Sequence, residues 1–215
     1  MSNPTTPASI GPGEFFPVVG VGPHEKPWPE GAQYDPELLL NGDRRNVLDH
    51  YRYWTVEAIV ADLDSKRHKL QIAIENWQHD LNIGSIVRTA NAFNVSGVHI
   101  VGKRDWNKRG AMVTDRYLTV HHHPTVEDFA LWCKENQLPI IGIDNVPGSK
   151  QLESAQLPEK CVLLFGQEGA GMSDEGIAVC EVLYEINQYG STRSMNASAA
   201  GAIAMYHWAL KHLPR

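Results

Sequence analysis

Two stretches near the C-terminus hold side chains that core packing does not call for. In Leu163-Leu164-Phe165-Gly166-Gln167-Glu168-Gly169-Ala170-Gly171-Met172-Ser173, an apolar run ends in a glycine-rich turn that carries one carboxylate. In Ser194-Met195-Asn196-Ala197-Ser198-Ala199-Ala200, a small polar cluster opens a long helical pattern. Glycines let backbone amides and carbonyls approach a ligand closely. Open α/β sheets bind ligands in crevices at the carboxyl ends of their strands. Ser194 and Asn196 lie two residues apart, so in an extended segment their side chains point the same way.

A third stretch runs from Asn82 to Phe93. Ile83, Ile86, Val87 and Ala90 follow the i, i+3, i+4, i+7 spacing of an amphipathic helix, with Asn82 where an N-cap would sit. At about 100° per residue, Arg88 lies roughly 150° from the centre of the apolar stripe and faces away from it. Farther on, Lys103, Arg104, Lys108, Arg109 and Arg116 stand against only Asp105 and Asp115, with Trp106 among them. Cations beside an aromatic ring suit phosphates and stacked bases. His121-His122-His123 carries no accompanying carboxylate pattern and reads as a polar loop rather than a metal site.

Elements that would position these residues can be read along the chain. Strands are expected at Leu70–Ile74, Val98–Val101, Pro139–Ile143, Cys161–Phe165 and Val182–Ile186. Helices are expected from Asn82, from a Thr125 cap through Cys133, from a Ser173 cap through Cys180, and from about Asn196 to His212. The last would present Ile203, Tyr206, Leu210 and Leu213 on one face. Val146 to Pro158 reads as a loop. Strands alternating with helices make an α/β fold with a mainly parallel sheet.

Residues 1–36 hold eight of the thirteen prolines and read as an extended or disordered arm. Residues 37–69 read as an extension packing on the core; within it, 46–60, mixed with Arg44, Arg45 and Arg52, reads as a short helix lying against the main domain or as an RNA-facing element. Residues 70–215 form the main domain. The chain has 215 residues, 42% of them hydrophobic, and a net charge of −6. It can build a core, and that charge argues against a nonspecific nucleic-acid coat. No apolar run approaches the roughly 18 residues of a membrane span, and no secretory signal is visible. Cys133, Cys161 and Cys180 are odd in number and widely spaced, which fits core thiols in a reducing cytoplasm.

Together the segments resemble the SpoU (TrmH-like) branch of the SPOUT RNA methyltransferases over residues 70–215. The matching motifs are Asn82-x-Gly84-x3-Arg88-Thr89-Ala90, Phe165-Gly166-x-Glu168-x2-Gly171 and Ser194-x-Asn196 leading into a small-residue helix. The resemblance implies a C-terminal trefoil knot, a cytoplasmic homodimer, S-adenosylmethionine as cofactor, no metal, and methyl transfer to a ribose 2'-hydroxyl of tRNA or rRNA. Catalytic roles would fall to Arg88, Asn82, Glu168, Ser194 and Asn196. The cofactor would meet Phe165, Gly166, Glu168, Gly171, Ile186, Met195, Asn196 and Ala200. RNA would meet Arg88 and the basic residues Lys103, Arg104, Lys108, Arg109 and Arg116. Met195 stands where leucine is commoner, and Asn187 where a proline often follows the last strand. A knotted RNA-binding assembly factor is the competing class. A Rossmann enzyme lacks its glycine fingerprint after an early strand.

Overall fold

The computed structural model describes residues 20–78 and 82–214, so the expectation for residues 1–19 of the arm lies outside the described residues. The chain divides into two units, one up to Ile59 and one from Val60 onward.

In the first unit, residues near Val21 run antiparallel to those near Asp43, and the His24 N–H donates to the Leu39 carbonyl at 2.9 Å. Helix α1 (Pro36–Asn41) is capped by Asp35. Residues 46–60 hold a 3-10 turn at Asp49–Tyr51 and the start of helix α2 (Val56–Asp64). The Asp43 carboxylate is buried and accepts from Arg45 Nε at 2.9 Å, Arg45 Nη2 at 2.7 Å and the Tyr53 N–H at 3.0 Å. Burial alone would raise its pKa, but these donors outweigh it and pull the value down to about 2. Arg45 is thus committed to this unit's own structure.

The second unit is built on seven parallel strands: β1 (His68–Asn76), β2 (Val95–Gly102), β3 (Val120–His123), β4 (Ile140–Ile143), β5 (Lys150–Gln151), β6 (Cys161–Phe165) and β7 (Val182–Glu185). Their order across the sheet is β3-β2-β1-β6-β4-β7-β5. Helices α3 (Asn82–Ala92), α4 (Val126–Glu135), α5 (Asp174–Val179) and α6 (Ala197–His212) complete the unit. Parallel strands covered on both faces read as continuous apolar runs. Along β6, Leu163 and Phe165 join the core shared with α3 and α6, while Val162 and Leu164 join the core shared with α4.

Two expectations are corrected. His121–His123 is not a loop but edge strand β3, paired with β2, where the His122 and His123 rings find partners in the Gly102 carbonyl and His99. His99 Nε2 lies 2.6 Å from Gln71 Oε1, and His99 Nδ1 lies 2.9 Å from His123 Nε2. The loop at 146–158 contains β5 and a 3-10 turn at Leu152–Ser154. On α6 the buried face is Gly201, Ala204, Met205, Trp208 and Ala209, whereas Ile203, Tyr206 and Leu210 are exposed. Gly201 faces α3, and a Cβ there would make an ordinary contact with Ile86 at 3.4 Å. Cys133 and Cys161 are core thiols whose burial raises their pKa to about 12. Among the described residues no helix is long and apolar enough to cross a membrane.

Candidate active site

The carboxyl ends of the adjacent strands β6, β4 and β7 open into one cavity of about 400 Å3. That lies within the range of about 300–1,000 Å3 usual for small-molecule sites. Its walls come from three segments: 143–146 after β4, 165–172 after β6, and 186–200 between β7 and α6. All eight residues expected to meet the cofactor line it: Phe165, Gly166, Glu168, Gly171, Ile186, Met195, Asn196 and Ala200.

The Gly166 turn is tight. Gln167 and Gly171 exchange backbone hydrogen bonds of 3.2 and 3.0 Å, and Gly171 takes a φ of 73°. A Cβ on Gly166 would lie 2.2 Å from the Met172 nitrogen, so only glycine fits. The Asp144 carboxylate, at the end of β4, accepts from the Met172 N–H at 2.7 Å and holds the turn against the neighbouring strand.

Asn196 organises the rest. It is the N-cap of α6, its Oδ1 accepting from the Ser198 and Ala199 N–H groups at 3.0 and 3.3 Å. That fixes the amide orientation and turns Nδ2 toward Asn82 Oδ1 at 2.8 Å and Glu168 Oε1 at 3.3 Å. The Asn82 amide in turn donates to Glu168 Oε2. One carboxylate and two amides therefore tie together the start of α3, the Gly166 turn and the start of α6. Asn82 is the first residue of α3, and this network, beyond a capping position, is what its side chain serves. Ser194 lines the cavity, and its hydroxyl has no hydrogen-bond partner among the described residues.

Arg88 is not brought into this cluster. It is exposed on α3, about 9 Å along the helix axis from Asn82 at 1.5 Å per residue, and no ion pair holds it among the described residues. Lys103, Arg104, Lys108, Arg109 and Arg116 are likewise exposed, on the segment between β2 and β3. Sequence reasoning missed Asp144 and Gln167. A single carboxylate after an apolar strand was the only signal for the first, and its neighbour Glu168 overshadowed the second.

A model of the SpoU rRNA methylase family matches residues 69–206. The chain belongs to the SpoU rRNA methylase family. Among its relatives is the tRNA (guanosine(18)-2'-O)-methyltransferase of Borreliella burgdorferi, 25% identical over 147 residues that span 67% of either chain. The Escherichia coli protein of the same name is also 25% identical, over 67% of this chain and 64% of its own. In fold, the chain is similar to the SpoU methyltransferase AviRb of Streptomyces viridochromogenes solved with AdoMet. The TM-score is 0.62 at 22% identity, over 68% of this chain and 62% of that one. The A. aeolicus TrmH/SpoU tRNA modifying enzyme gives a TM-score of 0.62 at 23% identity, over 71% and 82%.

The cavity suits S-adenosylmethionine. Gly166 and the turn beyond it present backbone, Ile143, Phe165, Ile186 and Met195 present apolar surface, and Glu168 and Asp144 present negative charge to a cationic ligand. Gln167 is only 8% exposed, and its Oε1 is buried without a partner, an acceptor awaiting a donor.

Proposed function

We propose that this protein transfers a methyl group from S-adenosylmethionine to a ribose 2'-hydroxyl of tRNA. The observation that carries this is the Asn82–Glu168–Asn196 cluster on the wall of a cavity formed at three adjacent strand ends. The names of the Borreliella and Escherichia coli relatives favour tRNA over rRNA.

The bound cofactor supplies an electrophilic sulfonium methyl. The chain must hold the ribose oxygen in line with it and assist loss of the hydroxyl proton. Asn196 and Asn82 keep Glu168 in one orientation, and Ser194 offers an unengaged hydroxyl beside them. Arg88 is exposed, has no ion-pair partner among the described residues, and is placed to clamp an RNA phosphate. A guanidinium stays protonated to a pH above about 12, so Arg88 stabilises charge rather than removing a proton unaided. Among the described residues no group of three His, Cys, Asp or Glu side chains is placed to hold a metal ion.

The same reading includes a cytoplasmic homodimer and a C-terminal trefoil knot. Membership of the SpoU family supports the knot, and the exposed apolar face of α6 supports the dimer.

The test is methyl transfer from radiolabelled S-adenosylmethionine to unmodified tRNA and, separately, to rRNA, with products mapped by 2'-O-methyl-sensitive sequencing. Label on a tRNA ribose is expected. Label on a base, or RNA binding with no transfer to either pool, would refute the reading.

A further inference from the structure

A second cavity, of about 310 Å3, lies apart from the first, between edge strand β3 and the segment that follows β2. Arg104, Asp105, Trp106, Lys108, His121 and His122 help line it, and it shares no lining residue with the first cavity. Arg104 is exposed, and no ion pair engages it among the described residues. Lys108 is held at 3.0 Å from Asp115, with Nζ 5.4 Å from the centre of the Trp106 ring. The His122 Nε2 lies 2.8 Å from the Gly102 carbonyl oxygen, which can only accept, so Nε2 carries the proton and Nδ1 is left as an acceptor.

The segment that makes this cavity is braced. Asn76 Nδ2 donates to the Lys103 and Asp105 carbonyls at 2.7 and 2.9 Å. Gly84 of α3 meets Gly110 so closely that a Cβ on either would fall 2.8 Å from the other's backbone segment. The helix that carries Arg88 therefore also supports the floor on which Trp106 and Lys108 stand. A braced cavity with an aromatic wall, two cations and the Asp105 carboxylate at its rim, and the His121 and His122 rings on its other side has the parts needed for a single nucleotide. The base would stack, the phosphate would meet a cation, and a base edge or 2'-hydroxyl would donate to the acceptor. An acidic peptide would have no use for the aromatic wall beside the acceptor.

We propose that the Arg104–Trp106–Lys108–His122 cavity binds one unpaired nucleotide of the RNA substrate, away from the residue that is methylated. Trp106 stacks on the base, Arg104 and Lys108 take the flanking phosphate, and His122 Nδ1 accepts from the base edge or the 2'-hydroxyl. The inference rests on the RNA methyltransferase reading above and adds a subsite to it.

The experiment compares wild type with Trp106→Ala, Trp106→Phe and Arg104→Ala. Dissociation constants are measured for an unmodified tRNA transcript over a range of salt, for a free mononucleotide, and for S-adenosylmethionine by calorimetry. Trp106→Ala should weaken tRNA binding by about 5- to 150-fold, the worth of one stacked base. Trp106→Phe should retain most of the affinity. Arg104→Ala should lower the log–log salt slope by about 0.7, the share of one single-strand phosphate contact. S-adenosylmethionine affinity should stay at the wild-type value throughout. If Trp106→Ala also loses the cofactor, Trp106→Phe and Arg104→Ala decide the matter.

Wild-type tRNA affinity in the alanine variants overturns the proposal, as does a mononucleotide that binds the cavity without competing with tRNA. The two readings fail separately. Transfer with unchanged KM for tRNA in both alanine variants removes the subsite and leaves the reaction. Binding differences without any transfer by wild type leave the subsite and remove the reaction.

Discussion

Asn196 shows how much one side chain can fix. Its oxygen caps α6 while its nitrogen holds Glu168, so one end of the amide serves the helix and the other the cavity wall. Asn196→Asp keeps an oxygen for the cap but turns a carboxylate toward Glu168. Asn196→Ala loses both interactions. The alanine variant should lose about 1 kcal/mol of stability in urea unfolding, the usual worth of an N-cap. The aspartate variant should keep most of that stability, and both should bind S-adenosylmethionine more weakly by calorimetry. Equal stability loss in the two would mean that the amide nitrogen, not the cap, carries the effect. Arg88 offers a contrast, because it touches no wall of the cavity. Arg88→Ala should leave cofactor affinity unchanged and lower the transfer rate by about 10²–10³-fold, as removal of one electrostatic stabiliser does elsewhere. Weaker cofactor binding in that variant would contradict its assignment to the RNA side.

At the scale of elements, β1 and β6 were legible because strands buried on both faces read as apolar runs. The site motifs were legible because glycines and small polar residues have little reason to follow such runs unless backbone must approach a ligand. β3 was illegible because its histidines look polar in sequence, and His122 and His123 find partners only on β2. The shared face of Ile203, Tyr206 and Leu210 was legible from their spacing, but which face of α6 meets the core was not, because the core contacts use Gly201 and Ala204, which carry little hydrophobic signal.

The histidine pairing at β3 has a consequence for acid stability. Burial, with His121 and His123 nearby, lowers the His99 pKa from 6.5 to about 2. With Nε2–H donating to Gln71, Nδ1 must accept from His123, and a proton added there would set donor against donor. The folded form thus stays neutral where the unfolded chain takes up a proton. Stability from this group is complete above pH 6.5 and falls as pH drops below it, by about 1.4 kcal/mol per unit for one proton. His99→Gln should be less stable at neutral pH, and its unfolding midpoint should change less between pH 6.5 and 4.5. A wild-type midpoint that is flat across that window would rule the mechanism out.

For the whole molecule, the open question is what covers α6. Ile203, Tyr206 and Leu210 are 42%, 57% and 46% exposed, three apolar side chains on one face of a helix whose opposite face is core. Scattered exposed apolar residues need no explanation, but a contiguous apolar face points to a partner. A second copy of the chain is the simplest one, since a two-fold interface places the same face on both sides. Covering the exposed halves of six side chains would contribute about 6 kcal/mol at roughly 1 kcal/mol each, a gross gain that offsets much of the roughly 4–15 kcal/mol cost of association. Ile203→Glu with Tyr206→Glu removes that term and sets four carboxylates against one another across the two-fold. Sedimentation equilibrium should give twice the 23.9 kDa chain mass for wild type and the single-chain mass for the double variant. Both positions lie outside the α6 core face, so the variant should keep its cooperative unfolding. A double variant that stays dimeric would place the interface on another surface, and a monomeric wild type would remove the dimer from the proposal.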